Sequence, residues 1–343
     1  MIFVLATLGS IGDVMPFLAV AGELRARGHR VVLASNAGYA QLVQSAGFEM
    51  AVIWDRGARD LDDVLIRDPA AAWDRVRSEM FEPAAAPARA AIAHYASQGP
   101  CAVLASWSVY GAALAHRDLG VPLTTAYLSP HAVGAAGNGP GQRIGFFPDW
   151  FWAAEPPPGM AMTDFPMPDD AQLPPLPPDL EAFLAMGPPP VLFIPGSFMR
   201  QAGDFFAAAL KACERLGLRG VFLSPYQDQI PVLPPTVRHY RYVSLQRLAP
   251  RAAAIVHHGG IGTAAQAMRA GLPQLLSPVF FDQFDNAARL EKLGVGRRLG
   301  ADMADDLAAV LASAGMRENC VRLRGRFGGN TIGAICALLE KRA

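Results

Sequence analysis

The chain has 343 residues, with 30 basic side chains against 30 acidic ones, so its formal net charge is zero. That length accommodates two domains, and a 52% hydrophobic content is enough to bury two cores. A neutral chain has no electrostatic footprint for nucleic acid, which sets that class of partner aside.

Lysine occurs only at Lys211, Lys292 and Lys341, and arginine supplies the rest of the positive charge. No run of about 18 uninterrupted apolar residues is present, so no membrane span is expected. The opening MIFVLATLGSIGD has no basic region and soon meets Gly9, Gly12 and Asp13, so it is read as a buried first strand rather than a leader. Cys101, Cys213, Cys320 and Cys336 are scattered without a CxxC pair, which suits reduced, buried thiols in a cytoplasmic protein.

In chain order, IFVLAT (2–7) predicts a strand, and residues 15–27 a helix that buries Phe17, Leu18, Ala21 and Leu24 and stops at Gly28. RVVLAS, MAVIW, CAVLAS and PLTTAYL predict further buried strands, with helices near 69–97 and 108–118 between them. Such alternation implies a parallel sheet covered on both faces. Gly134, Gly137, Gly139, Gly141 and Gly145 mark a loop. Between Pro156 and Pro190 lie 12 of the 29 prolines, a density that predicts an interdomain linker with neither helix nor central strand. A second alternation runs from PVLFIPGS (190–197) through GVFLS, HYRYV, AAAIVHH, PQLLSP and GRRL, with helices near 204–216, 263–270, 285–293 and 302–313. Helical patterns near 317–326 and 331–342 close the chain. The expected domains are 1–155, a linker at 156–189, and 190–343. The expected fold class is α/β, two Rossmann-like doubly wound parallel-sheet domains facing across a cleft, with ligands at the carboxyl ends of the strands.

Three loops carry chemistry. His257-His258-Gly259-Gly260-Ile261-Gly262-Thr263 joins a buried strand to a helix and contains no acid. Its glycines admit close approach of a ligand, and the helix N-terminus offers free N–H groups and partial positive charge. Thr263 adds a hydroxyl and His258 a ring nitrogen, so a diphosphate is the natural guest; the plain structural alternative is a tight turn with a satisfied histidine. Neither GxxxxGK[ST] nor GxGxxG is present. Thr7-Leu8-Gly9-Ser10-Ile11-Gly12-Asp13 also joins strand to helix, but its carboxylate repels an anion. Asp13 is a candidate general base for a neutral hydroxyl, the alternative being a helix cap. Asp282 and Gln283, in FFDQFDN, offer carboxylate and amide groups that suit adjacent hydroxyls of a sugar, the alternative being a polar turn.

Together these stretches resemble the GT-B glycosyltransferases of family 1, the UDP-glycosyltransferase-like group. GSIGDVMPFLAVAGELRARGHRVVLAS is similar to the family's first βαβ unit, and VHHGGIGTAAQAMRAGLPQLLSPVFFDQFDNAARLEKLGVG to its donor-site signature. SWSVYGAALAHRDLGVP, FPDWF and the stretch from PPPVLFIPGS to GVFLS are similar to the rhamnosyltransferase branch of rhamnolipid synthesis.

The resemblance implies an inverting hexosyltransferase that needs no metal and no cofactor. Its co-substrate would be a UDP- or dTDP-sugar carrying a rhamnose- or glucose-type hexose, and its acceptor a hydrophobic small molecule or lipid with a free hydroxyl. By the same resemblance, His258, Gly259, Gly260, Gly262 and Thr263 hold the diphosphate and Gly196 and Ser197 lie beside it. Asp282 and Gln283 take the sugar, Tyr242 lies under the nucleobase with Val243 as a further donor contact, and Asp13 is the base, with His258 aiding catalysis. Ser244 and Leu245 depart from the Pro-Gln that many relatives carry.

The acceptor would meet Gly12, Asp13, Trp107, Ser129, His131 and Phe147, with Trp150, Trp152 and the Trp73–Phe81 helix as further lining; packing is the competing role for these aromatics. HAVGAAGNGPGQRIGFFPDWFW replaces the several helices that relatives carry there, so 343 residues run short for the family and the acceptor pocket is expected to be open or incomplete. The acceptor is then expected to be large, presented by a carrier, or enclosed by a partner subunit, and a homodimer and a peripheral membrane contact are further candidate partners. The rival functions are a non-catalytic nucleotide-sugar-binding homologue or auxiliary partner, and a sugar-nucleotide epimerase.

Overall fold

The structure is a computed structural model that describes residues 1–55, 69–136, 139–152, 155–168, 173–197 and 199–341. The chain divides into two compact units, Met1–Pro168 with Gly329–Ala343, and Asp169–Gly328.

The first unit is built on a sheet of β1 (Ile2–Ala6), β2 (Arg30–Asn36), β3 (Glu49–Trp54), β4 (Cys101–Ser106), β5 (Leu123–Tyr127), β6 (Gln142–Gly145) and β7 (Met160–Met162). Its order is β3-β2-β1-β4-β5-β6-β7, and these pairings are parallel, with Ile2 opposite both Arg30 and Cys101. The helices are α1 (Ile11–Ala26), α2 (Ala40–Ser45), α3 (Pro69–Val76), α4 (Ala85–Ala96), α5 (Tyr110–Leu119), α6 (Pro130–Ala136) and α7 (Asp149–Trp152), with a wide π-type turn at Arg77–Phe81. The central strands read as unbroken apolar runs because both faces of the sheet are covered: every residue of β1, β4 and β5 is buried.

The second unit repeats the plan. Its strands are β8 (Val191–Ile194), β9 (Gly220–Leu223), β10 (Val237–Tyr240), β11 (Ala254–His257), β12 (Gln274–Leu276) and β13 (Gly296–Arg298), in the parallel order β10-β9-β8-β11-β12-β13. Its helices include α8 (Pro178–Ala185), α9 (Gly203–Leu216), α10 (Ile261–Ala270), α11 (Gln283–Lys292), α12 (Met303–Ala312) and α13 (Ala314–Arg324). One side of this sheet packs Phe193, Phe206 and Phe222 with Leu307, and the other packs Leu180, Leu192, Leu248 and Ile255. Both units are therefore doubly wound α/β, as expected.

Four boundaries differ from expectation. Helix α1 starts at Ile11 rather than 15, with Pro16 inside it, so Gly12 and Asp13 lie in its first turn. The proline-rich stretch at 156–189 is not a bare linker. It carries the edge strand β7 and helix α8, because proline is tolerated on a sheet edge and at the first position of a helix, where Pro178 sits. The glycine-rich stretch contributes strand β6 rather than loop alone. Finally, the division between units falls at Pro168/Asp169, inside the expected linker at 156–189, but α14 (Thr331–Glu340) belongs to the first unit rather than to 190–343. It buries Ile335, Cys336 and Leu339, and Glu340 pairs with Arg27 at 2.8 Å and with His29 at 2.9 Å.

Candidate functional site

In each unit the chain changes direction across the sheet at one place, and the loops that flank that switch point carry several of the residues singled out above. In the second unit the switch lies between β8 and β11, so Gly196-Ser197 and His258–Thr263 leave neighbouring strand ends. Gly196 has φ +115°, and a Cβ there would sit 3.3 Å from the His258 ring. Gly260 is tighter still: a Cβ would lie 2.3 Å from His258 Nε2. Two glycines thus form the slot that holds the histidine. Helix α10 begins at Ile261 with Gly260 as its cap residue and no side-chain cap. The first bond inside the helix runs from Ala264 N–H to the Gly260 carbonyl. The N–H groups ahead of it, Gly262 and Thr263 included, are the ones such a terminus directs at an anion.

The adjacent histidines have different duties. His257 is fully buried. Its Nδ1 accepts the Gly259 N–H at 3.1 Å, so its proton lies on Nε2, which donates to Gln274 Oε1 at 3.0 Å. Burial pushes His257 down to about 3 and His258 down to about 4, so both rings are neutral near pH 7. The His258 Nδ1–H points at the Ile194 carbonyl, 3.4 Å away, and leaves Nε2 as the outward-reacting atom beside Gly260. Gly259 supports the loop rather than the ligand: its N–H goes to His257 and its carbonyl accepts from Asn286 Nδ2 at 3.0 Å. This corrects its expected role as a diphosphate contact.

Asp282 and Gln283 follow β12 at the start of α11. Phe281, immediately before them, has φ +53°, strained for a bulky side chain. Asp282 Oδ2 accepts from Asn286 Nδ2 at 3.0 Å. Gln283 Oε1 accepts the N–H groups of Val279 and Phe280 at 2.8 and 3.0 Å, so its carbonyl is tied to the loop and its NH2 group is the part left for a hydroxyl. Tyr242 follows β10 and is 60% exposed, a surface aromatic suited to stacking. Val243 is buried in the core, so a donor contact there falls to its backbone.

In the first unit the switch lies between β1 and β4. Asp13, three residues past the cap residue Ser10, turns its carboxylate back: Oδ2 accepts from Ser10 N at 2.6 Å and Ser10 Oγ at 2.8 Å. Gly9 (φ +132°) makes room, because a Cβ there would sit 2.4 Å from Oδ2. Tyr39 Oη donates to the Gly9 carbonyl at 3.2 Å. Gly12 is in the same first turn. Trp107 leaves the end of β4, and its N–H donates to the Ala126 carbonyl at 3.0 Å. Its ring stacks on Trp73 at 5.6 Å and meets Phe81 edge-on. Ser129 is buried after β5, and His131 is exposed on α6. Phe147 is fully buried and stacked on Trp152 at 5.7 Å, and Trp150 packs on Phe151 and Phe165. The acceptor role expected of Phe147 gives way to core packing, which the competing reading of these aromatics anticipated.

Tyr39 and Gln274 were not singled out in the sequence, and Ser10 and Asn286 stood in the candidate loops without these supporting roles, Asn286 as a possible helix cap. Only Ser10, three before Asp13 at a helix start, carries a local signal. The four cysteines are buried and free, and burial raises Cys101 to about 11 and the other three to about 12. Among the described residues, no group of three or more His, Cys, Asp or Glu side chains is placed to hold a metal, and no helix is long and apolar enough to cross a membrane.

Two parallel, doubly wound sheets, with their candidate residues on loops at the carboxyl ends of the strands, have the GT-B plan. Solved structures agree on the fold. The glycosyltransferase SnogD from Streptomyces nogalater is 23% identical with a TM-score of 0.72, over 99% of both chains. The spinosyn rhamnosyltransferase SpnG complexed with thymidine diphosphate is 20% identical with a TM-score of 0.74, again over 99% of both.

Residues 3–136 match the glycosyltransferase family 28 N-terminal domain, and residues 223–327 match the erythromycin biosynthesis protein CIII-like, C-terminal domain. The O-mycaminosyltylonolide 6-deoxyallosyltransferase of Streptomyces fradiae is 35% identical over 48% of this chain and 41% of its own length. The vancomycin aglycone glucosyltransferase of Amycolatopsis orientalis is 40% identical over 41% of this chain and 35% of its own length. The matches cover less than half of these curated relatives. Both units thus match glycosyltransferase family models, and the fold is GT-B.

Proposed function

We propose that the protein is an inverting glycosyltransferase that moves a rhamnose- or glucose-type hexose from a dTDP- or UDP-sugar to the hydroxyl of a hydrophobic acceptor, without a metal. A thymidine diphosphate is named in the solved SpnG complex, which puts dTDP-sugars first in order of test. The observation that carries the proposal is the pairing of chemistries at the two switch points: a carboxylate after β1, and an uncapped helix N-terminus with a neutral histidine after β11.

In the reaction, the Asp13 carboxylate takes the proton from the acceptor hydroxyl as that oxygen bonds to the anomeric carbon. The bond from that carbon to the diphosphate oxygen breaks, and its electron pair leaves on the diphosphate. The α10 N-terminus, His258 and Ser197 are aimed at the charge that develops there, and preorganised dipoles of this kind usually supply the largest part of catalysis. Attack opposite the leaving group inverts the anomeric centre. Tyr242 provides a face for the base, roughly 1–3 kcal/mol by stacking, and Asp282 with the Gln283 amide meets the hexose hydroxyls.

One observation favours a second reading, a nucleotide-sugar-binding homologue without turnover: Asp13 Oδ2 is already held by two donors from Ser10. Thermal-shift screening with dTDP- and UDP-sugars well above Kd identifies the donor, because ligand that binds only the folded state stabilises it by mass action. Product formation with the stabilising donor, its anomeric configuration by NMR, and turnover in EDTA then test the chemistry. Asp13→Asn is expected to keep the donor's thermal shift and lose about 10²–10⁴-fold in turnover. Undiminished turnover in that variant removes Asp13 as the base, and a donor shift with no product from any acceptor supports the second reading.

A further inference from the structure

The first unit contains a cavity of about 330 Å³ against one face of β4 and β5. The space is partly open to the surface and at the small end for ligand pockets. Its origin can be followed residue by residue. Where relatives are expected to carry helices, Gly139-Pro140-Gly141 lies flat on the sheet. The Pro140 carbonyl accepts from Thr125 Oγ1 at 2.9 Å, and Gly139 N–H donates to Tyr127 Oη at 3.2 Å. Neither glycine is replaceable there. A Cβ on Gly139 would lie 2.7 Å from Tyr127 Oη, and one on Gly141 (φ +74°) would lie 2.3 Å from the Leu123 carbonyl. The floor is small as well, built of Ala105, Ala112 and Ala113.

The opposite wall is aromatic. Trp73 and Trp107 stack at 5.6 Å, Phe81 sets its edge against both, and Tyr110 meets Phe81 at 5.9 Å. Trp73, Trp107 and Tyr110 line the space directly. Trp107 follows β4, the strand beside β1, whose loop carries Asp13. The loop after β4 that lines the cavity thus flanks the same switch point as the loop that carries Asp13. Among the described residues, the one charged lining residue is Arg77, and it is paired with Asp74 at 3.1 Å and Glu82 at 3.5 Å, so the described wall presents ring surface rather than net charge.

We propose that this cavity seats the acceptor, and that the acceptor is a flat aromatic alcohol of about one to three rings rather than an acyclic hydroxy fatty acid or a macrolide. The proposal rests on the glycosyltransferase reading. Ring faces reward offset stacking by another flat ring, whereas a flexible alkyl chain gives up rotational freedom to be ordered on the same wall. The small volume, set by three alanines and a glycine strap, excludes a large aglycone ring from the enclosed part.

The test is calorimetric titration of the whole chain with 2-naphthol and, separately, with 3-hydroxydecanoic acid, in the wild type, Ala113→Phe and Tyr110→Leu. Ala113→Phe fills the floor and Tyr110→Leu removes a ring, so a folding failure in one leaves the other informative. Both variants are expected to weaken 2-naphthol at least tenfold, with the thermal shift by dTDP unchanged and 3-hydroxydecanoic acid binding more weakly than 2-naphthol throughout. The proposal is overturned if both variants bind 2-naphthol as the wild type does, or if the fatty acid binds more tightly. Failure of dTDP to stabilise any of the three would count against the glycosyltransferase reading itself, and the 2-naphthol comparison would still judge the cavity.

Discussion

At the residue scale, the site depends on glycines that keep space for a neighbour's side chain. Gly9 is the sharpest case, because its missing Cβ is the space into which the Asp13 carboxylate folds. Gly9→Ala strains a backbone at φ +132° and pushes on Oδ2. It is expected to lower turnover as Asp13→Asn does while leaving the dTDP thermal shift intact, and equal kcat in wild type and variant would show that the carboxylate does not need that pose. The histidines supply a second test. Both have folded pKa values depressed by burial, about 3 and about 4, below the ordinary value near 6.5. As pH falls from about 6.5 toward 4, the unfolded chain therefore takes up protons before the folded one, and stability is lost. Tm measured between pH 7 and pH 4.5 is expected to fall, and to fall less in His258→Gln; identical slopes would remove His258 as a contributor.

At the element scale, what matters is where helices begin. α10 starts on glycine with no side-chain cap, and α1 starts on Ser10 with the Asp13 carboxylate folded back over it. The same strand–loop–helix unit thus presents free donors in one place and an acceptor in the other. Gly260→Ala places a Cβ 2.3 Å from His258 Nε2. It is expected to weaken dTDP binding at least tenfold by calorimetry, with a far-UV spectrum like that of the wild type, and unchanged affinity would show that the His258 position is immaterial.

Most of this was readable in the residues. The three loops stand where the sequence placed them, because apolar runs and glycine-rich loops punctuate each unit locally. Their undersides were not readable: Gln274 and Asn286 are 17 and 29 residues from His257, and only the pairing of β11 with β12 and the packing of α11 bring them under the loop. Phe147 was misplaced for the same reason, since spacing does not say which side of a loop turns inward.

At the scale of the whole molecule, the end of the chain returns to its beginning. α14 buries Ile335 and Leu339 in the first unit, each worth roughly 1.5–3 kcal/mol on burial. The exposed ion pairs of Glu340 with Arg27 and His29 add little. Deleting 329–343 is expected to lower the melting transition of the first unit by calorimetry while the dTDP-dependent shift of the second persists. Loss of the dTDP shift alone would mean that these residues serve the donor unit instead.

The sequence by itself determined the fold class, the two alternating α/β halves and the residues at the strand ends, because hydrophobic period and turn chemistry are local properties. Only the tertiary structure decided which of those residues keep atoms for a ligand. It gave Gly259 and half of the Gln283 amide to supporting the loop, sent α14 across to the first unit, and opened a cavity under a glycine strap. Each of these depends on hydrogen bonds and packing between residues far apart in the chain, which no local pattern records.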